Sequence, residues 1–551
     1  MKKSIFIGLV AIVSTTAYAQ MDNVVEVENN YRPVLKDANK INSLPEIEQT
    51  PVNHYNVDYT ITSVPTTNYV FEPMWAAKNE QLIRSDKKGF ATGAYGMDNN
   101  MLGRIAYGFD LSDNDELNFD FSSRGHNSKI DHVSGTSKWM SRFFTNRFKA
   151  GYEHRFDSSS SLLINACYGT DVFNYQSPVG GLGHTDKQQN DLLDVSAKFT
   201  PYSSGRFGIG ANVGFTLFNQ KYVTSLADLA KEIGVSGSIT PSYQLNDETS
   251  IDLEACVDYT NYSMTGFGNG TTFDFTPHFY WKNDVIDLKA GVYVDNDWHV
   301  APDVDVTFHL HPRFDLYLQA EGGRVYNDFR RFAQMTPYWC VNLAGADFDD
   351  QFDQLRAGGG LRMRPLDGLY ADLSAGYDVS KNRAEIADFL MVPNTRSTYA
   401  PMLFADGKNF YIKGNIKYDY QNLFIAELNG RYNHWTTDFN PSKSTTYVGI
   451  NTTNWNQIVW RPQLELDCSI KIKPVEQLTI GADVLFESFQ KKSNRYERPN
   501  TVNIGATISY TFPFRLTLYA KGDNLLNKKY DHYMMYRSPG INFLAGAAIT
   551  F

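Results

Sequence analysis

From about Lys88 to Phe551 the chain repeats one pattern: apolar residues at every second position, a turn, the same alternation again, then a longer polar stretch. "MLGRIAYGFDL" puts Met101, Gly103, Ile105, Tyr107, Phe109 and Leu111 on one face, "SDND" turns, and "ELNFDF" resumes with Leu117, Phe119 and Phe121. Successive side chains of a strand point to opposite faces, so a period of two predicts strands with one greasy and one wet face. The hairpins "GVSGSITPSYQL"/"NDET"/"SIDLEACVDY", "VDVTFHL"/"HPR"/"FDLYLQA" and "QLELDCSIKI"/"KPVEQ"/"LTIGADVLF" follow the same rule, with turns rich in Asp, Asn, Pro and Glu.

Such segments number about 22, an even count, as closed single-chain membrane barrels require. Connections alternate between short and long, the longest running near Asn327 to Asp353 and Asn382 to Gly407. If the last strand runs toward the periplasm, every short turn falls on that side and every long loop outside, the asymmetry of outer-membrane barrels. Aromatics beside the short turns, such as Tyr280 and Trp281, Phe308 and Phe314, Tyr418 and Tyr420, and Phe512 and Phe514, suit a girdle at the lipid headgroup level. The expected fold is therefore all-β, a transmembrane antiparallel barrel of about 22 strands.

The chain ends in mid-strand, on "INFLAGAAITF". An edge so regular would pair with any free strand, and pairing with the first strand of the ring removes it. Phe551 is also a feature that barrel-assembly machinery could read by strand addition. At the other end, Lys2 and Lys3 precede an apolar run from Ile5 to Val13 and the small-residue "AYA" at 17–19, the signature of a cleaved signal peptide over residues 1–19. The expected organisation is thus signal peptide 1–19, an extended N-terminal periplasmic segment 20–87 punctuated by Pro33, Pro45, Pro51 and Pro65, and a barrel over 88–551 in the outer membrane.

Composition sharpens this picture. Aromatics reach 14%, with 34 Tyr and 36 Phe, while mean hydropathy is only −0.39. A wet inner face averages away a greasy outer one. A net charge of −10 argues against nucleic acid as a partner. The four cysteines, at 167, 256, 340 and 468, lack any paired spacing, which argues against a disulfide framework or a zinc site.

The closing residues "KGDNLLNKKYDHYMMYRSPGINFLAGAAITF" resemble the last hairpin of TonB-dependent outer-membrane receptors, through Asn524, Leu525, Leu526, Asn527, Lys528, Lys529, Tyr530, Pro539, Gly540, Phe543, Gly546 and Phe551. Ile541 stands where that family commonly has a basic residue. The resemblance implies a 22-strand barrel and a role in substrate uptake or gated passage. It also implies an N-terminal plug, for which residues 20–87 leave too little chain. "NVVEVE" at 23–28 is similar to a TonB-contacting box, making Val24, Val25 and Val27 candidate contacts for a periplasmic partner by strand addition.

Without a plug, about 22 strands spaced ~4.8 Å apart and tilted ~40° enclose a ring on the order of 40 Å across. The N-terminal segment, inward-folded loops or a partner protein must then occupy it. The expected lumen lining includes Asp252, Glu254, Asp258, Asp287, Asp303, Asp305 and Asp315 on an acidic stretch, with Arg362 and Arg364 among the inward cations. "DFDDQFDQ" at 347–354 reads as a solvated acidic loop. Neither Asp297 with His299 nor Asp531 with His532 has an orienting third group and a nucleophile, so no catalytic or metal residue, no cofactor and no enzyme activity are expected. Two functions stay open: an outer-membrane transport component, or a lumen-filled scaffold for surface or periplasmic proteins.

Overall fold

The computed structural model describes residues 88–131, 138–156, 160–176, 187–201, 205–221, 230–263, 269–340, 349–386, 390–391, 398–439, 461–489, 498–533 and 536–551. The expected signal peptide over 1–19, the segment 20–87 and the expected contacts at Val24, Val25 and Val27 lie outside these residues.

The ring begins with β1 (Gly89–Gly96), β2 (Met101–Asp110), β3 (Asp115–Asp131), β4 (Lys138–Phe156), β5 (Ser160–Asn174), β6 (Lys187–Thr200), β7 (Phe207–Lys221) and β8 (Lys231–Gln244). It continues through β9 (Thr249–Tyr262), β10 (Gly270–Lys282), β11 (Ile286–Asp295), β12 (Val300–His311), β13 (Phe314–Val325), β14 (Gln351–Leu366) and β15 (Leu369–Ile386). It ends with β16 (Thr398–Tyr420), β17 (Phe424–Phe439), β18 (Pro462–Val475), β19 (Leu478–Phe489), β20 (Thr501–Thr511), β21 (Leu516–Asp523) and β22 (Asn542–Thr550).

Each strand is antiparallel to its neighbours, and β22 pairs with β1 from Phe90↔Thr550 to Gly96↔Leu544, closing a 22-strand barrel. Closure answers the exposed last strand. Phe551 N–H donates to the Gly89 carbonyl at 2.9 Å, Gly89 N–H donates back at 2.7 Å, and the Phe551 ring stacks on Tyr107. The Tyr519 ring crosses the backbone of Gly546, where any Cβ would lie 2.7 Å from Tyr519 Cζ, and its hydroxyl meets Thr92 Oγ1 at 2.9 Å. Glycine at 546 lets this side chain staple the seam from within.

Along the outer face the alternation forms an apolar band. On β9 the exposed outward row is Ile251, Leu253, Val257 and Tyr259, while Asp252, Glu254 and Asp258 alternate with it on the other face. On β16 the outward row Tyr420, Ile416, Ile412 and Phe410 is exposed. Beyond it come Lys408 and then Asp406, the latter paired with Lys381 at 2.5 Å. Ten residues of tilted strand rise ~25 Å, the height of a membrane barrel's apolar band. The strands therefore outgrow the band on the long-loop side and build a crown above it. Of the short-turn aromatics, Trp281 lies on the outward row with the exposed Phe279, whereas Tyr280 shares its face with His278 and turns into the lumen.

Candidate functional site

Among the described residues the crown holds two buried apolar clusters, and both are organised by the connection between β13 and β14. Residues 329–335, "FRRFAQM", form a short helix, α1 (Phe329–Met335). Asp328 caps it by accepting from Arg331 N–H at 2.7 Å. On one side, Phe329, Phe332 and Trp339 pack with Phe218 of β7, Ala384 of β15, and Met402 and Phe404 of β16, with Tyr262 of β9 alongside. On the other, Tyr338 joins Ile130 of β3, Trp139 of β4, Phe173 of β5, and Tyr175 and Tyr536. The Tyr338 and Tyr536 rings stack at 3.4 Å and 4°. Since β4 and β15 stand half a ring apart, segment 326–340 is a crossbar tying opposite walls at the long-loop mouth.

Polar bonds fix the crossbar further. Glu232, only 1% exposed, accepts from Phe329 N–H at 2.7 Å and from Arg330 Nε at 2.9 Å, while Asp194 of β6 accepts from Arg330 Nη1 at 3.2 Å. Burial pushes the Arg330 guanidinium toward neutrality, but Asp328, Glu232 and Asp194 outweigh it and raise its pKa above the ordinary arginine value. Arg331 goes the other way: burial, aided by Arg461, lowers its pKa, and its donors go to the neutral Gln351 and Asn327 side chains.

Beneath the crossbar the inner wall divides by charge. The register places Asp252, Glu254, Asp258, Asp274, Asp287, Asp303, Asp305, Asp315 and Glu321 on the lumen side of β9–β13, with Lys289 and two histidines among them. His278 bridges Asp252 at 2.6 Å and Asp303 at 2.8 Å, and Lys289 also reaches Asp303, at 2.7 Å. His309 meets Asp315 at 2.8 Å, Gln319 meets Asp305 at 2.8 Å, and Tyr326 donates to Asp258 at 3.1 Å.

From β14 to β17 the same face carries Arg356, Arg362, Arg364, Arg383, Lys413 and Arg431, several stacked on aromatic rings. Arg362 lies 4.3 Å from the Tyr317 ring centroid, Arg383 4.4 Å from Trp435, and Lys413 4.8 Å from Tyr411. Glu321–Arg356 at 2.8 Å joins the two sectors. Sequence reading missed the Arg362–Tyr317 and Arg383–Trp435 stacks because these partners lie far apart in the chain and only the register brings them together, whereas Lys413 and Tyr411 share one face of β16 at a spacing of two.

Other sequence expectations change in detail. Asp353 of the acidic stretch lies buried in β14 beside Gln351 rather than in a solvated loop, and Asp350 accepts from Asn327 N–H at 3.1 Å. Asp295, Asp297 and His299 converge within 4.8 Å, yet Arg324 already bonds both carboxylates and supplies the positive charge there. Cys167, Cys256 and Cys468 are free thiols. The receptor-like run folds the β21–β22 connection. Asn524 and Asn527 take left-handed φ of 50° and 49°, and Asn527 Oδ1 accepts from Ile541 N–H at 3.0 Å.

No protein-family model matches this chain, and no curated protein matches it by sequence. Solved structures do. The ferric enterobactin receptor PfeA from Pseudomonas aeruginosa superposes with a TM-score of 0.61 at 11% identity, over 85% of this chain and 82% of that one. The FrpB iron transporter from Neisseria meningitidis gives 0.62 at 10% identity over the same shares. The ferric-catecholate import receptor Fiu from E. coli gives 0.60 at 10%, again over 85% and 82%. By fold, the chain is an outer-membrane β-barrel similar to these receptors.

Proposed function

We propose that this chain is an outer-membrane transport component that admits a polar solute through a barrel of TonB-dependent-receptor type. The observation that carries the reading is the crossbar 326–340, which ties opposite walls above a wet, charge-divided lumen. A ring this wide needs a constriction to keep the membrane tight, and an inward-folded loop supplies one from within the same chain. The short-turn end, where Lys88 leads into β1, faces the periplasm. The segment 20–87 takes the place of a plug there, and Val24, Val25 and Val27 offer an edge to a periplasmic partner. The carboxylates of β9–β13 favour cationic groups on the solute.

Planar-bilayer recording tests this. The parent should conduct weakly. Deleting residues 24–69 behind an intact signal peptide should raise conductance, and opening the crossbar by Phe332→Ala should raise it further. If both variants assemble and both stay silent, the lumen is filled by other means and the scaffold reading replaces this one.

A further inference from the structure

The crown is uneven. The turn between β11 and β12 takes only residues 296–299, and that between β1 and β2 only 97–100, nearly half a ring away. At these two places the wall stops short. On β12 each outward position from Leu310 up through Phe308, Val306, Val304 and Pro302 to Val300 is apolar, and both ends of that row are well exposed. Ten residue steps of ~3.3 Å, tilted ~40°, climb ~25 Å, the full apolar band. The 296–299 turn therefore sits at the band's upper edge, where the taller β15–β16 hairpin begins to show charge.

At this level the turn presents Trp298, 85% exposed. Its φ of 61° lies in the left-handed region, which a bulky residue rarely occupies. Neighbouring groups hold it there. Trp298 N–H donates to the Asp295 carbonyl at 3.0 Å, and the Asp295 carboxylate accepts from the N–H groups of Asp297 and His299, each at 3.0 Å. Arg324 clamps Asp295, Asn296 N–H donates to the Phe273 carbonyl at 2.9 Å, and the His299 ring stacks on Phe352 at 4.4 Å. A rigid turn thus holds an indole out of the protein, continuous with the apolar band.

We propose that Trp298 is an interfacial anchor that seats in the outer-leaflet headgroup layer. Its ring body lies against the acyl boundary and its N–H meets headgroup oxygens, the environment that suits an amphipathic ring. Tyr95, 63% exposed and tied to Asn99 at 2.6 Å, is its counterpart at the other low point. Two anchors on nearly opposite sides fix the depth and tilt of the barrel where no crown rises to do so.

The test is a nitroxide at Trp298→Cys, with the native cysteines at 167, 256, 340 and 468 changed to serine, in phospholipid proteoliposomes. Collision with oxygen and with a water-soluble nickel chelate should be comparable, as at the headgroup–acyl boundary. A severalfold preference for the nickel chelate would mean an aqueous turn, a severalfold preference for oxygen a ring sunk in the acyl core, and exclusion of both reagents a protein contact; each overturns the proposal. Should that variant not assemble, fluorescence decides: lipid brominated near the headgroups should quench the parent more strongly than Trp298→Phe. Equal quenching overturns the anchor.

Discussion

The same strands pass through two zones that hold together differently. In the band, Ile251, Leu253 and Val257 face lipid while Asp252, Glu254 and Asp258 face the lumen, so most side chains have a solvent and the ladder hydrogen bonds carry the structure. In the crown the order is that of a water-soluble core. Phe329, Phe332 and Phe173 are fully buried, and Glu232 is bonded on both oxygens. The band tolerates change by chemical type, apolar outside and polar inside. The crown depends on shape and on individual partners.

The largest effect should follow from breaking the crown. Phe332→Ala removes a fully buried ring shared by α1 and Phe404, a loss of about 3–5 kcal/mol of local anchoring. Limited proteolysis should then cut near 326–340 while the barrel remains assembled and heat-modifiable. Loss of the whole barrel instead would show that crown and band are one cooperative unit.

Next comes the band. Ile470 is exposed on the lipid face of β18, between Leu466 and Ile472, and Ile470→Arg should cost about 2–4 kcal/mol near the bilayer centre. The readout is lower outer-membrane abundance, and the same change at the lumen-facing Ser469 should be much milder. Equal losses at the two sites would mean the inner face is packed like the crown.

Removing Phe551 tests the seam. Two terminal backbone bonds and the Tyr107 stack go with it, and surface levels should fall severalfold. Unchanged levels would leave closure to the other β1–β22 bonds. The smallest effect belongs to Tyr519→Phe, which deletes only the hydroxyl bond to Thr92 and should lower thermal stability by about 1 kcal/mol or less.

How much of this was legible in sequence follows the same division. Alternation predicted the band strand by strand, because one side chain's direction depends only on the parity of its position; Asp303 and Asp305 alternate with Val304 and Val306 in the sequence as in the wall. The short turns were legible for a related reason, since their residues are local signals. The crown was not. "FRRFAQM" is too short for a helix to form alone, and its burial comes from Phe218, Ala384 and Phe404, about fifty residues or more away in the chain. Tyr280 shows the limit within the band: adjacency to Trp281 suggested a shared girdle, but adjacent strand residues face opposite ways.

Tyr338 and Trp339, consecutive in the chain, belong to different clusters, and those clusters draw on β3, β4, β5, β7, β15 and β16 together with Tyr536 beside the last hairpin. No partial barrel contains all of these pieces in place. The crossbar can settle only after nearly the whole wall has been laid down, late in folding as contacts of long sequence separation are. Its seating is thus a record of completion: a barrel arrested before its last hairpin would leave Tyr338 without its Tyr536 stack and the mouth marked as unfinished.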